Sequence, residues 1–388
     1  MKKAYLIITI IVALFFLGCD KTDNLKDEIS IDKENQFLLN EKEMIQIAGE
    51  VQFGCNTSLK SSSVSQKLSD YKLIHENGKP FYYILNYEGG GFIILAADKR
   101  SEPLLAYSYE TSFPLDENGM PDGLLEWKEN TIEEISELRN QEWINDYVWE
   151  RWDKAIKDGV PSILPTPGDP PGEIGEEIPE DPNGPACNTK TYSVSPLLTT
   201  KWHQGVGFND NAPYKSCSNH SNGRALAGCV AIAGAQVINY FEYPTTYDYG
   251  LMNNTTGSSE ASRLIRDIGN AVDMDYGCSS SGANTKDLAD AFKNNFSYSS
   301  ASYGDFNPTT LRNELNWGYP VILRGESSDG GHAWVCDGYD YYVNPCGANI
   351  LWLYMNWGWR YGVYNGSYRV SDFRGFNDNN KMIYNIRK

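Results

Sequence analysis

Cys229 stands where a reactive thiol would be expected. It begins the run CVAIAGAQVINYF, whose small apolar residues predict a helix that ends before Pro244. The unpaired N–H groups and the dipole at a helix N-terminus favour an anion, so they lower the pKa of a thiol towards the nucleophilic thiolate. A structural cysteine buried in an apolar helix is the alternative interpretation.

A thiolate nucleophile needs a base, and the chain has four histidines. His75 lies in the N-terminal half, and His203 and His220 lie in the polar stretch before Cys229. His332 lies in the segment GGHAWVCDGY, where paired glycines begin a predicted strand and allow another backbone to approach closely. We therefore expect His332 to be the base, with a hydrogen-bonded core histidine as the alternative.

The next predicted strand carries two further candidates. In the segment LWLYMNWGW, Asn356 could orient the imidazole through its amide oxygen, and Trp357 could shield that bond from water. Cysteine, histidine and asparagine form a known protease arrangement.

The elements that must position these residues occupy the second half of a two-domain chain. At 388 residues, with 26 Tyr, 10 Trp and 41% hydrophobic residues, the chain can build two cores. Residues 1–190 carry a net charge of −16 and residues 191–388 one of −2, the former from 18 Lys and Arg against 34 Asp and Glu. An acidic first half argues against nucleic acid as a partner.

The N-terminus resembles a bacterial lipoprotein signal. Two lysines precede an apolar run that ends in LFFLGC, with Cys19 as the residue expected to carry the lipid, so residues 1–18 are predicted to be removed. An ordinary export signal with a chance cysteine is the alternative. We expect the protein to be exported and to contact the membrane only through this lipid. Release of the protein from the membrane on maturation is also open.

Three segments follow the signal. Residues 19–35 are polar and predict a tether, and residues 36–160 predict a first domain with a hairpin from Pro80 to Asp98 and an amphipathic helix from Leu125 to Trp152. Residues 161–190 are rich in Pro, Gly and acidic residues, a composition typical of an exposed linker that proteases cut. Residues 191–388 predict the second domain.

Several separate stretches resemble the streptopain-like cysteine peptidases, a bacterial branch of the papain-like fold. They are, in family order, W-x-Q at Trp202, PY at Pro213, GCVA at Gly228, VDMDYG at Val272, GGHA at Gly330 and NWGW at Asn356. The stretch FIILAADKR at Phe92 resembles, more loosely, the inhibitory propeptide of these enzymes. The resemblance implies an α+β fold in which a helical lobe faces a twisted antiparallel sheet, behind a smaller α+β propeptide domain.

The resemblance also implies a role for each matching residue. Cys229 becomes the nucleophile, His332 the base and then the acid, and Gln204 an oxyanion donor beside the Cys229 N–H. By the same resemblance, Asn356 orients the imidazole and Trp357 shields the bond between them from water. Three further residues fall where the family lines its substrate cleft: Ser280, Gly282 and Gly331. The family often has glycines after the second Trp of NWGW, where this chain has Arg360 and Tyr361, so the shape of the cleft is expected to differ.

The remaining cysteines suggest structural roles, and Cys336 with Cys346 could close a short loop. Because no CxxC pair is present, neither a metal nor another cofactor is expected.

The sequence therefore predicts a cysteine endopeptidase that is made as a zymogen, with protein or peptide substrates and its own propeptide as inhibitor. A non-catalytic peptide- or glycan-binding lipoprotein and an amidase or transglutaminase with the same dyad remain alternatives. For the first domain, a permanent spacer is the alternative to an inhibitor.

Overall fold

The sheet of this protein runs through both halves of the chain. The computed structural model describes residues 36–51, 65–116, 119–165, 189–327, 330–344, 349–370 and 380–388. The predicted signal peptide, the tether, Cys19 and most of the predicted linker lie outside these residues. The chain divides into two units, Met1–Leu38, of which residues 36–38 are described, and Leu39–Lys388.

The N-terminal half consists of short helices and an antiparallel sheet. Its helices are α1 (Glu41–Ala48), α2 (Asp122–Leu138) and α3 (Asp146–Asp158), followed by a 3₁₀ turn (Val160–Ser162). Its strands are β1 (Glu50–Val51), β2 (Gln66–Glu76), β3 (Lys79–Tyr87), β4 (Phe92–Ala96) and β5 (Leu104–Ser108). Strands β3 and β4 confirm the predicted hairpin, which turns through glycines 89–91, all with positive φ.

The single helix predicted from Leu125 to Trp152 is wrong. The structure has two helices, α2 and α3, separated by residues 139–145. The second helix has its own N-cap, because the side chain of Asn145 accepts a hydrogen bond from the backbone N–H of Tyr147 at 2.9 Å. The apolar periodicity of the sequence continues from α2 into α3, although the helix is interrupted between them.

In its described residues, the C-terminal half combines four helices with most of the sheet. The helices are α4 (Cys229–Phe241), α5 (Ser259–Ala271), α6 (Thr285–Asn294) and α7 (Pro308–Asn316), with 3₁₀ turns at Tyr249–Leu251 and Arg360–Gly362. The strands are β6 (Lys190–Val194), β7 (Ser300–Asp305), β8 (Val321–Ser327), β9 (Gly330–Val343), β10 (Ile350–Asn356), β11 (Gly366–Val370) and β12 (Lys381–Arg387). A disulfide joins Cys217 to Cys278.

Cys336 carries a buried free thiol on β9, so the suggested bridge from Cys336 to Cys346 is not formed. Within the described residues, no helix is both long enough and apolar enough to cross a membrane.

The α+β class is confirmed, with the Cys229 helix packed against an antiparallel sheet that carries His332 and Asn356. The strand order is β1-β2-β3-β4-β5-β11-β10-β9-β8-β12-β7, and β6 pairs separately with β9. Helix α4 is buried along almost its whole length, in a core that also takes residues from α5, α6 and the strands beneath. A helix that is apolar on all sides is expected to be buried in this way.

The two halves join by strand pairing. Strand β5 of the N-terminal half pairs antiparallel with β11 of the C-terminal half, with Tyr107 opposite Ser367 and Ala106 opposite Tyr368. The Tyr107 hydroxyl also donates to the carboxylate of Asp340. The backbone hydrogen bonds of an edge strand are therefore satisfied by the other half of the chain.

Helix α2 forms a second contact between the halves, lying over β8 and β9. Gly123 permits the close approach, because a Cβ there would lie 2.5 Å from the Trp334 ring and 2.9 Å from the Trp357 ring. Further along α2, the Trp127 indole donates to the carbonyl of Arg369 at 3.0 Å.

Glu126 is the carboxyl group at the centre of this contact, and its side chain is 1% exposed. Its Oε1 accepts from the amide of Asn380 at 2.9 Å, while its Oε2 and the Asn380 Oδ1 have no hydrogen-bond partner among the described residues and both lie against Gly325. Two unpaired acceptors side by side become a hydrogen-bonded pair if the carboxyl group is protonated. Burial raises the pKa of Glu126 from 4.5 to about 7, with Glu129 adding to the rise and Asn380 and Arg324 opposing it.

The variant Glu126→Gln keeps two hydrogen bonds to Asn380 at every pH. In the wild type the raised pKa means that the stabilisation from the neutral carboxyl group is complete below pH 4.5 and is lost as the pH rises to about 7. The free energy of unfolding of the wild type should therefore fall across this window, relative to that of Glu126→Gln, by up to about 3 kcal/mol. The difference between the two proteins should then stay constant at higher pH. Denaturant titrations at several pH values measure the difference, with Cys229→Ala in both proteins to remove the buried thiol.

The control is Glu142→Gln, which changes an exposed carboxylate in the segment between α2 and α3. Its unfolding free energy should follow the wild-type pH profile. If Glu126→Gln also follows that profile, the carboxyl group is not protonated in the folded chain.

Candidate active site

Cys229 is the first residue of α4, as the sequence predicted. The residue before it, Gly228, has a φ of 88°, and a Cβ there would lie 2.5 Å from the sulfur of Met274. Both the backbone conformation and the available space therefore require glycine at this position. The resulting turn places the thiol at the positive end of the helix.

The Cys229 thiol lies against strand β9. Its side chain is close to the backbone N–H groups of Ala333 and Val230, which lower its pKa by stabilising the thiolate. Burial acts in the opposite direction and is the largest effect, so the pKa of Cys229 is raised, with a smaller rise from the carboxylate of Asp122. Because Ala333 follows His332 directly, this contact brings the thiol to the part of β9 that carries the imidazole.

His332 is 3% exposed, and its Nε2 lies 2.9 Å from the carbonyl oxygen of Trp357. A carbonyl can only accept, so this hydrogen bond requires the proton on Nε2 and leaves Nδ1 as the basic nitrogen of the neutral ring. Burial lowers the pKa of His332, while the Trp357 carbonyl and the Asp122 carboxylate raise it. Burial therefore opposes the charged form of both the thiol and the imidazole.

Indole rings surround the imidazole. The Trp334 ring stacks near His332, with centroids 6.0 Å apart, and the Trp359 ring presents its edge at 5.7 Å. The Trp357 ring packs against Trp334 and Tyr368 at 4.9 and 5.4 Å. Trp357 thus contacts the histidine through its backbone carbonyl, and the neighbouring indoles exclude water from the ring.

Asn356 is buried beside the site, but its amide group is used elsewhere. Its Nδ2 donates to the carbonyl of Thr200 at 2.7 Å, and its Oδ1 lies 3.4 Å from the amide nitrogen of Gln236 and from the backbone nitrogen of Gly358. The position expected for the Asn356 oxygen, next to the imidazole, is taken by the Trp357 carbonyl.

Gln204 is buried in the segment that precedes α4. Its backbone carbonyl accepts from the N–H of Ala227 at 2.9 Å, which ties it to the turn before Cys229. Its side-chain amide makes no hydrogen bond to any other residue that the structure describes. The amide is therefore free to donate to a new oxygen atom, such as that of a bound substrate.

The three predicted cleft residues are exposed. Ser280 and Gly282 belong to a turn whose Ser281 carbonyl lies 3.4 Å from where a Cβ of Gly228 would be. Both backbone groups of Gly282 already bond to Asp275, at 2.9 and 3.1 Å. Gly331 precedes His332 on β9. The turn at 280–282 thus lies beside the residue that precedes Cys229, and Gly331 is the neighbour of His332 in the chain.

The other histidines lie apart from this arrangement. His203 Nδ1 accepts from the N–H of Gly205 at 3.1 Å, and burial lowers the pKa of His203 to about 4. His220 bonds through Nδ1 to the carbonyl of Arg224 at 2.7 Å, and His75 is exposed on β2. Within the described residues, no group of three or more His, Cys, Asp or Glu could hold a metal ion.

The N-terminal half covers the candidate site. The sequence predicted an inhibitory domain but not which of its residues lie near Cys229 and His332. Asp122, the first residue of α2, is close enough to influence both Cys229 and His332 electrostatically. Just before α2, the carbonyl of Gly119 accepts from the Trp359 indole at 2.9 Å. Nothing in the local sequence around Asp122 signals this contact, because it depends on how the two halves pack.

Two family models match the chain. The Peptidase C10 family model matches residues 202–255 and 245–368, and the Spi protease inhibitor model matches residues 38–135. Streptopain from Streptococcus pyogenes serotype M1 is 27% identical over 400 residues, covering 87% of this chain and 86% of the relative. The thiol protease/hemagglutinin PrtT from Porphyromonas gingivalis is 26% identical over 357 residues, 81% of this chain but 36% of the relative.

A solved structure shares the fold. A Prevotella intermedia prointerpain A fragment aligns with a TM-score of 0.54 at 24% identity, covering 82% of this chain and 99% of the fragment. The inhibitor model lies on the N-terminal half that covers the site, and the peptidase model lies on the half that contains Cys229 and His332. The chain is therefore a streptopain-like cysteine peptidase, made as a zymogen with an N-terminal propeptide domain.

Proposed function

We propose that Cys229 and His332 form the catalytic dyad of an endopeptidase. The contact that carries this proposal is the Cys229 thiol at the N-terminus of α4, held against the backbone next to His332. Once the site is uncovered, proton transfer to Nδ1 gives a thiolate and an imidazolium, with the positive ring bonded to the Trp357 carbonyl.

The remaining steps use the Gln204 amide, the Cys229 N–H and the His332 imidazole. The thiolate attacks a peptide carbonyl, and the oxyanion accepts from the Gln204 amide and the Cys229 N–H. His332 then protonates the leaving amine, and water, deprotonated by the same imidazole, hydrolyses the acyl-enzyme. Ser280, Gly282 and Gly331 border the cleft in which the extended substrate lies.

The propeptide keeps the enzyme latent by covering the dyad. Helix α2 lies over the site through Gly123, and strand β5 holds the domain on the edge of the catalytic sheet. A tethered inhibitor has a high effective concentration, so cleavage in the linker at 161–190 weakens inhibition without changing any contact. We also propose that the precursor is exported and is anchored to a membrane through a lipid on Cys19.

Replacing either member of the dyad should abolish peptidase activity without unfolding the protein. Cys229→Ala and His332→Ala should leave no measurable casein hydrolysis after the linker is cut by an added protease, while His203→Ala and His220→Ala should retain it. Circular dichroism checks folding, and a thiol alkylator provides an independent block. Loss of turnover in His220→Ala but not in His332→Ala would show that the base is misassigned.

Substrate profiling of the active enzyme separates the alternatives. Hydrolysis of internal peptide bonds supports an endopeptidase, whereas activity confined to side-chain amides would indicate an amidase or transglutaminase. A folded chain that binds peptide or glycan without turnover would indicate a binding protein.

Gln204→Ala should lower kcat by roughly 10²–10³-fold, as the loss of an oxyanion donor typically does. KM should change little, because the new charge exists only after attack. Steady-state kinetics on a peptide substrate measure both. A loss of tenfold or less would assign Gln204 to a structural role, since its backbone also holds Ala227.

Latency predicts that separately expressed residues 20–160 inhibit the mature enzyme in trans. The full-length Cys229→Ala chain, which cannot cut itself, serves as the substrate for linker cleavage by active enzyme. Inhibition in trans, together with activation of the wild type that coincides with a cut in the linker, supports the proposal. Full activity of an uncleaved chain would identify the first domain as a permanent spacer.

A further inference from the structure

A ring of three buried polar side chains lies behind the candidate dyad. Gln236 on α4 has no exposed surface, and its Oε1 accepts from the Thr200 hydroxyl at 2.9 Å. Its Nε2 lies 3.4 Å from Asn356 Oδ1, and Asn356 Nδ2 donates to the Thr200 carbonyl at 2.7 Å. A glutamine in an apolar helix costs free energy unless both ends of its amide are paired, and here both are.

The members of this ring come from the three segments that carry the site. Gln236 lies about two turns after Cys229 on the same helix. Thr200 belongs to the segment that continues to Gln204, and Asn356 is the last residue of β10, directly before Trp357. The ring therefore fixes the nucleophile helix, the oxyanion segment and the partner of the histidine relative to one another.

The connection to His332 passes through one peptide group. The backbone N–H of Gly358 points to Asn356 Oδ1 at 3.4 Å, and the carbonyl of Trp357 accepts from His332 Nε2 at 2.9 Å. These two atoms belong to the same planar peptide, in which N–H and C=O point in opposite directions. Holding the N–H therefore aims the carbonyl at the imidazole, and hydrogen bonding at one end strengthens the bond at the other.

We propose that Gln236 is a positioning residue for the peptidase reaction. It holds Asn356, which orients the Trp357–Gly358 peptide, whose carbonyl keeps the proton of His332 on Nε2 and directs Nδ1 to the thiol. Asn356 thus orients the histidine through the backbone and not through its own oxygen. This inference rests on the proposed role of His332 as the base.

The test compares Gln236→Met, which keeps a long unbranched side chain but removes both hydrogen bonds, with Val237→Ala. Val237 is the next residue on α4 and is also fully buried, but it contributes nothing to the ring, so its variant reports the effect of a weakened core alone. For enzyme matured from the full chain, Gln236→Met should lower kcat about 10- to 100-fold with KM unchanged, as misplacement of a reacting group does. Val237→Ala should retain the kcat of the wild type per folded molecule.

A second readout does not depend on activity. In the full-length Cys229→Ala chain, the ¹H–¹⁵N signal of His332 Nε2–H reports its hydrogen bond to the carbonyl, and His332→Ala identifies the signal. This signal should shift upfield or broaden in Gln236→Met and stay in place in Val237→Ala. If Gln236→Met does not fold, Thr200→Val removes the hydroxyl that holds the glutamine and should move the signal in the same direction.

An unchanged kcat or an unmoved Nε2–H signal in the folded Gln236→Met chain would overturn the positioning role. That outcome differs from failure of the dyad, which would appear as retained activity in His332→Ala. Equal losses of kcat in Gln236→Met and Val237→Ala would also overturn the inference, since the ring would then act only through stability.

Discussion

The hydrogen bond between His332 and the Trp357 carbonyl is the interaction on which the arrangement of the site depends. Strands β9 and β10 pair antiparallel until Asn356 lies opposite Val335, and the chain then leaves the sheet. The register shifts between Tyr354 and Met355, just before this exit. The bulge and the end of the ladder free the next carbonyl from strand pairing, so it can accept from the imidazole.

Burial sets the charge state of the proposed dyad. The thiol pKa is raised and the imidazole pKa is lowered, in both cases mainly through loss of solvent. The two neutral groups are the pair that a covered site favours, whereas catalysis needs the ion pair. Water admitted to the site when the first domain leaves would therefore favour the ion pair that the proposed mechanism needs.

The sequence carried the local features of this fold but not the long-range ones. The small apolar run after Cys229 predicted a helix, and the alternating segments around Phe92 predicted a hairpin. Both patterns repeat every two to four residues, so a short stretch of sequence is enough to recognise them. The pairing of β5 with β11 joins segments that are distant in the chain, and nothing in either strand specifies the other. The role assigned to Asn356 came from a familiar residue pattern, while the observed partner is a backbone carbonyl, which no side-chain pattern encodes.

Gln236 is a buried polar residue whose burial the sequence itself indicates. It is a long polar side chain within an otherwise apolar stretch of α4, and such a residue must either be exposed or be paired. The apolar residues on all sides of it predict burial, so a polar partner had to exist even though the sequence does not name it.

The turn after Trp359 holds two bulky side chains in a backbone conformation that favours glycine. Arg360 and Tyr361 have φ values of 37° and 61°, in the region that glycine adopts at no steric cost. Holding each of these residues there costs roughly 1–2 kcal/mol, which contacts of the side chains must offset. The Tyr361 ring packs on His203 at 4.2 Å, and the Arg360 guanidinium lies against Gly119 of the propeptide. The first domain supplies the second contact, so removal of that domain leaves the strained, positively charged turn beside Trp359 without it.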